Sequence, residues 1–285
     1  MRGEFVDLAG ARLYYYAAGT RGAAEPVVLL HGLGTSGRLW SEVAPLLPSG
    51  RRLVVVDLLG HGRSDPPGSA GLSLSAHAAR VVALLDALGI ASACMVGHGM
   101  GGGIAQALAV THPARVSHLA LVGSIAFGDG LLRDLTVARA LLPVLRHLPP
   151  AWLLSMVRGE MERGYADPSR AAHALDGFGR PFTTAAGRDV LRRHLLALDR
   201  RETRALGARL HEIPAPTAVV WGADDPLVRP GLGRRLAAAI PGATLDVVPG
   251  ARHFLPADAP RPLADAIERL LARPTSPGAR RSRAG

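Results

Sequence analysis

An acid near the end of one apolar run and a histidine behind a glycine near the end of the next are the residues of this chain best suited to chemistry. The acid is Asp225, in Trp221-Gly222-Ala223-Asp224-Asp225-Pro226, with Asp224 as the neighbouring alternative. The histidine is His253, in Gly250-Ala251-Arg252-His253-Phe254, 28 residues further on. A carboxylate that accepts from a histidine Nδ1–H fixes the imidazole tautomer and stabilises the imidazolium, so the pair can move a proton. A lone histidine is more often structural. Its place behind a glycine, opposite an acid at another strand end, lifts this one above that background.

Two glycine-rich loops complement the pair. His31-Gly32-Leu33-Gly34 follows an apolar run ending at Leu30. Its glycines let the chain turn sharply, and the Leu33 N–H is a candidate donor to a developing oxyanion. Gly97-His98-Gly99-Met100-Gly101-Gly102 separates a strand-like run from a helix-like one. Small residues at 97 and 101 permit a tight elbow. The Met100 N–H, at a helix start where backbone donors are free, is the second candidate.

These loops must be positioned by a sheet. A continuous apolar run at 26–30 and further runs at 52–57, 93–97 and 116–122 read as strands buried on both faces, as in a parallel sheet. Between them the spacing predicts helices over 39–47, 75–88 and 101–111, the second capped by Ser73 or Ser75. A strand pair at 4–8 and 13–18 turns at Ala9-Gly10-Ala11. Strand alternating with helix implies βαβ units with helices on both faces. From about 128 to 212 the pattern becomes helical and is broken by Pro143, Pro149, Pro150, Pro168 and Pro181. Alternation then resumes, with strands at 215–221 and 243–248 and helices at 232–239 and 261–271.

Composition bounds the alternatives. The chain has 285 residues, of which 48% are hydrophobic and 20% charged, enough apolar material for a sizeable core. The net charge of +10 comes from Arg alone, since no Lys occurs. A GC-rich codon bias produces that pattern, so solvated Arg is the better reading than a nucleic-acid surface, and no nucleic-acid partner is expected. A single cysteine, Cys94, excludes an internal disulfide and a zinc site built on several Cys. No apolar run reaches membrane-span length, and the first 30 residues show no signal-peptide pattern; no membrane partner is expected, and cytoplasm is the default. Residues 273–285, with four Arg and no acid, are expected to form a disordered basic tail.

Taken in order, His31-Gly32-Leu33-Gly34, the segment from Asp57 to Asp65 (Asp-Leu-Leu-Gly-His-Gly-Arg-Ser-Asp), the elbow at 97–102, Gly222–Asp225 and His253 resemble the α/β-hydrolase superfamily over roughly residues 5–272. The resemblance is closest to its capped esterase, epoxide hydrolase, haloperoxidase and C–C hydrolase branch. It implies an α/β fold with a mostly parallel, twisted sheet of about eight strands and a helical cap inserted after the sixth. The expected organisation is a core over 1–127 and 213–272, a cap over 128–212 and a tail beyond. The resemblance further implies no cofactor, no metal, Asp225 and His253 as acid and base, and Leu33 and Met100 as oxyanion donors. His31, Gly32, His98 and Ser124 are candidates for contact with a small-molecule substrate.

One position departs from the family pattern. Where the family places a nucleophile, usually Ser, this chain has Gly99, which cannot form an acyl-enzyme. The elbow residue sits in a strained backbone region, which glycine relieves. Substitute nucleophiles are weak: Ser64 matches a structural position, Ser124 ends a strand, Ser36 and Thr35 suit a helix cap, Cys94 lies inside a buried strand, and His98 suits a structural role. Three readings follow. A His253–Asp225 dyad acts as general base on water or substrate; a serine ester hydrolase has lost its nucleophile by substitution; or the pocket binds a ligand without chemistry. The first is favoured, with a small to medium apolar carbonyl compound as substrate.

Overall fold

The computed structural model describes residues 2–8, 10–19, 24–128, 155, 158–159, 161–178 and 184–275. Its centre is an eight-stranded sheet: β1 (Arg2–Leu8), β2 (Ala11–Ala18), β3 (Val27–Leu30), β4 (Leu53–Asp57), β5 (Ala93–His98), β6 (Val116–Val122), β7 (Thr217–Gly222) and β8 (Thr244–Val248). The spatial order is β1-β2-β4-β3-β5-β6-β7-β8. The β1–β2 and β2–β4 pairs are antiparallel and the rest are parallel.

The apolar runs are strands because both faces are covered. Every residue of β3, β4, β5, β6 and β7 is buried. Side chains alternate between faces. Val28, Leu30, Val54 and Val56 enter one core layer, and Val27, Leu29 and Val55 enter the other. Each such side chain contributes about 1.5–3 kcal/mol when fully buried.

The helices are α1 (Leu74–Ala87), α2 (Met100–Thr111), α3 (Pro168–Phe178), α4 (Ala185–Ala197), α5 (Arg200–Ala208), α6 (Pro230–Ala239), α7 (Leu255–Asp258) and α8 (Pro260–Leu271). Ser73, not Ser75, caps α1 by accepting from Ala76 N at 3.1 Å. Ser75 instead meets Glu202 of α5, which accepts from the Leu74 and Ser75 amides and from Ser75 Oγ at 3.1, 2.8 and 2.7 Å. A carboxylate at a helix N-terminus satisfies orphan amides and opposes the helix dipole. No helix among the described residues is long and apolar enough to cross a membrane.

Three expectations need correction. The helix expected over 39–47 is two 3₁₀ turns, Gly37–Trp40 and Ala44–Leu46. Pro45 lacks the N–H an α-helix needs there and can only open a new turn. Ser36 caps the first turn, accepting from Arg38 N at 3.4 Å. Pro168, read as a breaker, begins α3, where a missing N–H costs nothing. Arg273, placed in the tail, is tied to the sheet: its guanidinium donates to Thr217 O and Gly242 O, and its carbonyl accepts from His118 Nε2 at 2.9 Å. Residues 276–285 lie outside the described residues, as do Pro143, Pro149, Pro150 and Pro181.

Candidate active site

The elbow turns on a single residue. β5 runs to His98 and α2 begins at Met100, leaving Gly99 with φ 54° and ψ −114°. That positive φ is the left-handed side of backbone space, which glycine enters freely and other residues enter at a cost. Its amide donates to Val122 O at 3.1 Å, and its carbonyl accepts from Ile125 N and Gly103 N at 3.2 and 3.3 Å, so the turn is fixed from β6 and α2. A Cβ added to Gly99 would lie 3.6 Å from Gly32 Cα and 3.8 Å from His253 Nε2, ordinary contact distances. The neighbouring Gly101 has no such room: a Cβ there would collide with the Leu30 and His31 carbonyls. The first turn of α2 thus lies directly on the end of β3.

Asp225 and His253 meet across the ends of β7 and β8. His253 Nδ1 donates to Asp225 Oδ2 at 2.9 Å. The other carboxylate oxygen accepts from the Leu227 and Val228 amides at 2.9 and 2.8 Å. Both side chains are buried. Three donors on one buried carboxylate fix its orientation, and it in turn assigns the Nδ1–H tautomer. The Nε2 lone pair is left on the side of Gly99. Asp224 is the exposed neighbour and takes no part in this contact.

Leu33 is half-buried in the turn after β3, and Met100 is buried at the head of α2. Neither amide has a hydrogen-bond partner among the described residues. For Met100 this follows from helix geometry, since no carbonyl lies one turn before it.

Other candidates are used up inside the fold. His31 accepts from Leu58 N at Nε2 (3.0 Å) and donates from Nδ1 to Gly32 O (2.8 Å), which leaves no nitrogen for a substrate. Burial lowers its pKa to about 4, so it is neutral. Ser124 Oγ donates to Ile125 O and accepts from Gln106 Nε2 at 2.8 Å, beneath α2 rather than beside Gly99. His98 is buried and donates from Nε2 to the main-chain carbonyl of His253 at 2.9 Å. Gly32 lies against Gly99, its Cα 3.6 Å from the Cβ position there. Ser64 bridges strands by donating to Asp57 O and accepting from Tyr14 N at 2.6 and 2.8 Å. Thr35 donates to Gly32 O at 2.9 Å. Cys94 is buried within β5, and burial pushes its thiol up, away from the reactive thiolate. None of Ser64, Ser124, Thr35 and Cys94 replaces a nucleophile.

Two contacts were not legible in the sequence. Asp258 accepts from Arg252 N at 2.9 Å and from Ala166 N at 3.0 Å, bracing the residue before the histidine. Gly123, at the end of β6, lies against the imidazole: a Cβ there would sit 3.5 Å from His253 Nδ1. The Asp258–Ala166 and Gly123–His253 contacts join residues far apart in the chain, and no local pattern marks such pairs. Among the described residues no cluster of His, Cys, Asp or Glu has the geometry to hold a metal ion.

This sheet order, elbow and acid–histidine pair have the arrangement of one protein class. The model for the α/β hydrolase fold matches residues 25–260, and the chain belongs to that family. It is 34% identical over 242 residues to a 2-hydroxy-6-oxononadienedioate/2-hydroxy-6-oxononatrienedioate hydrolase from Cupriavidus pinatubonensis, covering 82% of each chain. It is 34% identical over 252 residues to the dihydrolipoyllysine-residue acetyltransferase component of the acetoin cleaving system of Cupriavidus necator, covering 88% of this chain but 64% of that longer protein. Among solved structures, the enol-lactonase of Burkholderia xenovorans superposes with a TM-score of 0.80 at 26% identity, over 95% of this chain and all of that one. The chain is an α/β-hydrolase-family enzyme.

Proposed function

We propose that this protein hydrolyses a small to medium apolar carbonyl compound without a covalent intermediate, using His253 as general base on water. His253 Nε2 removes a proton from water as the water oxygen attacks the carbonyl carbon. The carbonyl oxygen becomes an oxyanion and accepts from the Leu33 and Met100 amides. Collapse expels the leaving group, which takes the proton back from Nε2–H. Asp225 holds the tautomer and stabilises the imidazolium between the two transfers.

The observation that carries this reading is the aim of His253. Its Nδ1 is occupied by Asp225, and its Nε2 stands 3.8 Å from the Cβ position of Gly99, where no side chain competes for it. The names of a relative and of a structural neighbour, an oxo-dienedioate hydrolase and an enol-lactonase, support a carbonyl substrate. The same dyad serves a lyase or cyclisation step if the proton comes from substrate carbon instead of water. The reading includes a helical cap over 128–212 and a cytoplasmic location.

The test is turnover of a carbonyl ester panel in ¹⁸O water with intact-protein mass spectrometry. The expected result is direct label incorporation with no acyl adduct on the protein, and loss of turnover in His253→Ala. Turnover that survives His253→Ala removes the dyad from the mechanism. A second reading has its own support: the clearance at Gly99 accommodates a serine. On that reading the chain descends from a serine hydrolase that lost one hydroxymethyl group, and Gly99→Ser restores an esterase.

A further inference from the structure

We infer that His98 is a positioning residue, a strut that sets the base loop and the oxyanion loop at a fixed separation across the elbow. This deepens the reading above and rests on His253 as the base.

His98 is the last residue of β5 and directly precedes Gly99. Its imidazole is 1% exposed and touches both halves of the site. On one side Nε2 donates to the main-chain carbonyl of His253 at 2.9 Å. On the other side Nδ1 faces Gly32, which opens the oxyanion loop: a Cβ on Gly32 would lie 2.9 Å from Nδ1 and 3.3 Å from Cε1. The two loops come from opposite ends of the chain, and the His98 ring lies between them. The His98 and His253 ring centroids are 4.7 Å apart, and the His98 and Phe254 centroids are 5.8 Å apart.

The chemistry of an imidazole suits the task. The carbonyl of His253 only accepts, so Nε2 must carry the proton and Nδ1 must be bare. Bare Nδ1 has no hydrogen-bond partner among the described residues, and it lies against the glycine loop without needing one more atom of space. Burial first, then the neighbouring His253, holds the His98 pKa well below the ordinary histidine value. His98 therefore stays neutral while His253 gains and loses a proton beside it. A charged partner at that distance would oppose protonation of the base. A merely apolar side chain would leave the His253 carbonyl buried and unbonded, which the fold disfavours.

The two ring nitrogens can be separated by substitution. Glutamine places a donor nitrogen where Nε2 stands, and asparagine places one where Nδ1 stands. Phenylalanine keeps the ring and removes both. Three readouts are taken on the full chain with His98→Gln, His98→Asn and His98→Phe: kcat and KM for the substrate found in the ester panel, the downfield Nδ1–H proton resonance of His253, and the thermal midpoint. The strut predicts that His98→Phe and His98→Asn lower kcat about tenfold or more with KM within about twofold, and that both broaden or shift the His253 proton. His98→Gln recovers kcat to within about threefold and restores the proton signal. Equal losses in all three variants, or losses that follow the thermal midpoint or KM, overturn the proposal. If the parent shows no His253-dependent turnover, the general-base reading fails, while the proton resonance still decides whether His98 positions His253.

Discussion

Placing a serine at Gly99 perturbs the site at its centre, and the structure sets the size of each effect. The backbone at Gly99, with φ 54° and ψ −114°, does not need to move to receive a Cβ, which meets only Gly32 Cα at 3.6 Å and His253 Nε2 at 3.8 Å among the described residues. The hydroxyl lies one bond further on and comes within hydrogen-bond reach of Nε2. A non-glycine residue at this φ costs about 1–3 kcal/mol. For a domain of this size that lowers the thermal midpoint by roughly 2–12 °C. Chemistry should move the other way. In a serine hydrolase the triad is worth about 10⁶ in turnover, and about 10³–10⁴ over water remains without it. Gly99→Ser is therefore expected to raise p-nitrophenyl acetate hydrolysis at least 10²-fold and to show a burst of acylation. Gly99→Ala bears the same backbone strain without the oxygen and isolates the two effects. The midpoints of both variants should fall together, while the ester rate rises in one alone. A folded Gly99→Ser protein with no ester gain would refute the argument that His253 and the two amides form a working site. A midpoint above the parent's would refute the strain argument.

Four further outcomes follow from the same geometry. Asp225→Asn keeps the shape of the acid but offers His253 a donor in place of an acceptor, so kcat should fall about 10²–10⁴-fold while the thermal midpoint changes little; steady-state kinetics on the identified substrate reads it. Gly101→Ser drives a side chain into the Leu30 and His31 carbonyls and should yield little folded protein on gel filtration. Glu202→Ala releases three hydrogen bonds at the start of α1 and should lower stability by about 1 kcal/mol in urea titration, with Glu202→Gln intermediate. Burial lowers His31 to about 4 and His77 to about 3, and both are neutral when folded. The unfolded chain takes up those protons below about pH 6.5, so stability is full above that pH and falls as pH drops toward the folded values, by up to about 1.4 kcal/mol per unit for each. Scanning fluorimetry from pH 7 to 4 should show a steep loss that His77→Phe makes shallower.

The sheet was legible because five of its strands are covered on both faces and so carry largely apolar runs, such as Val27–Leu30 and residues 119–122. The elbow was legible because close approach admits only small residues at 97 and 101, and chain order alone brought Asp225 before His253. The orientation of individual side chains was not. His31, His98 and Ser124 lie at or just beyond strand ends, yet each directs its polar atoms into the framework. Whether a strand-end side chain faces a pocket depends on the next turn's dihedral angles, which residue identity leaves open. Contacts such as Asp258 to Ala166 depend on packing between distant segments and leave no spacing to read.

The clearance around Gly99 also bears on inheritance. A glycine codon ending in a pyrimidine becomes a serine codon by one base change, guanine to adenine in its first position. A lineage carrying this chain can therefore pass between the two states at residue 99 in a single mutational step, because both side chains fit the same backbone. Gly101, two residues on, has the same codon neighbours and no such freedom. The scaffold thus keeps one catalytic atom genetically within reach while holding the surrounding turn closed to drift.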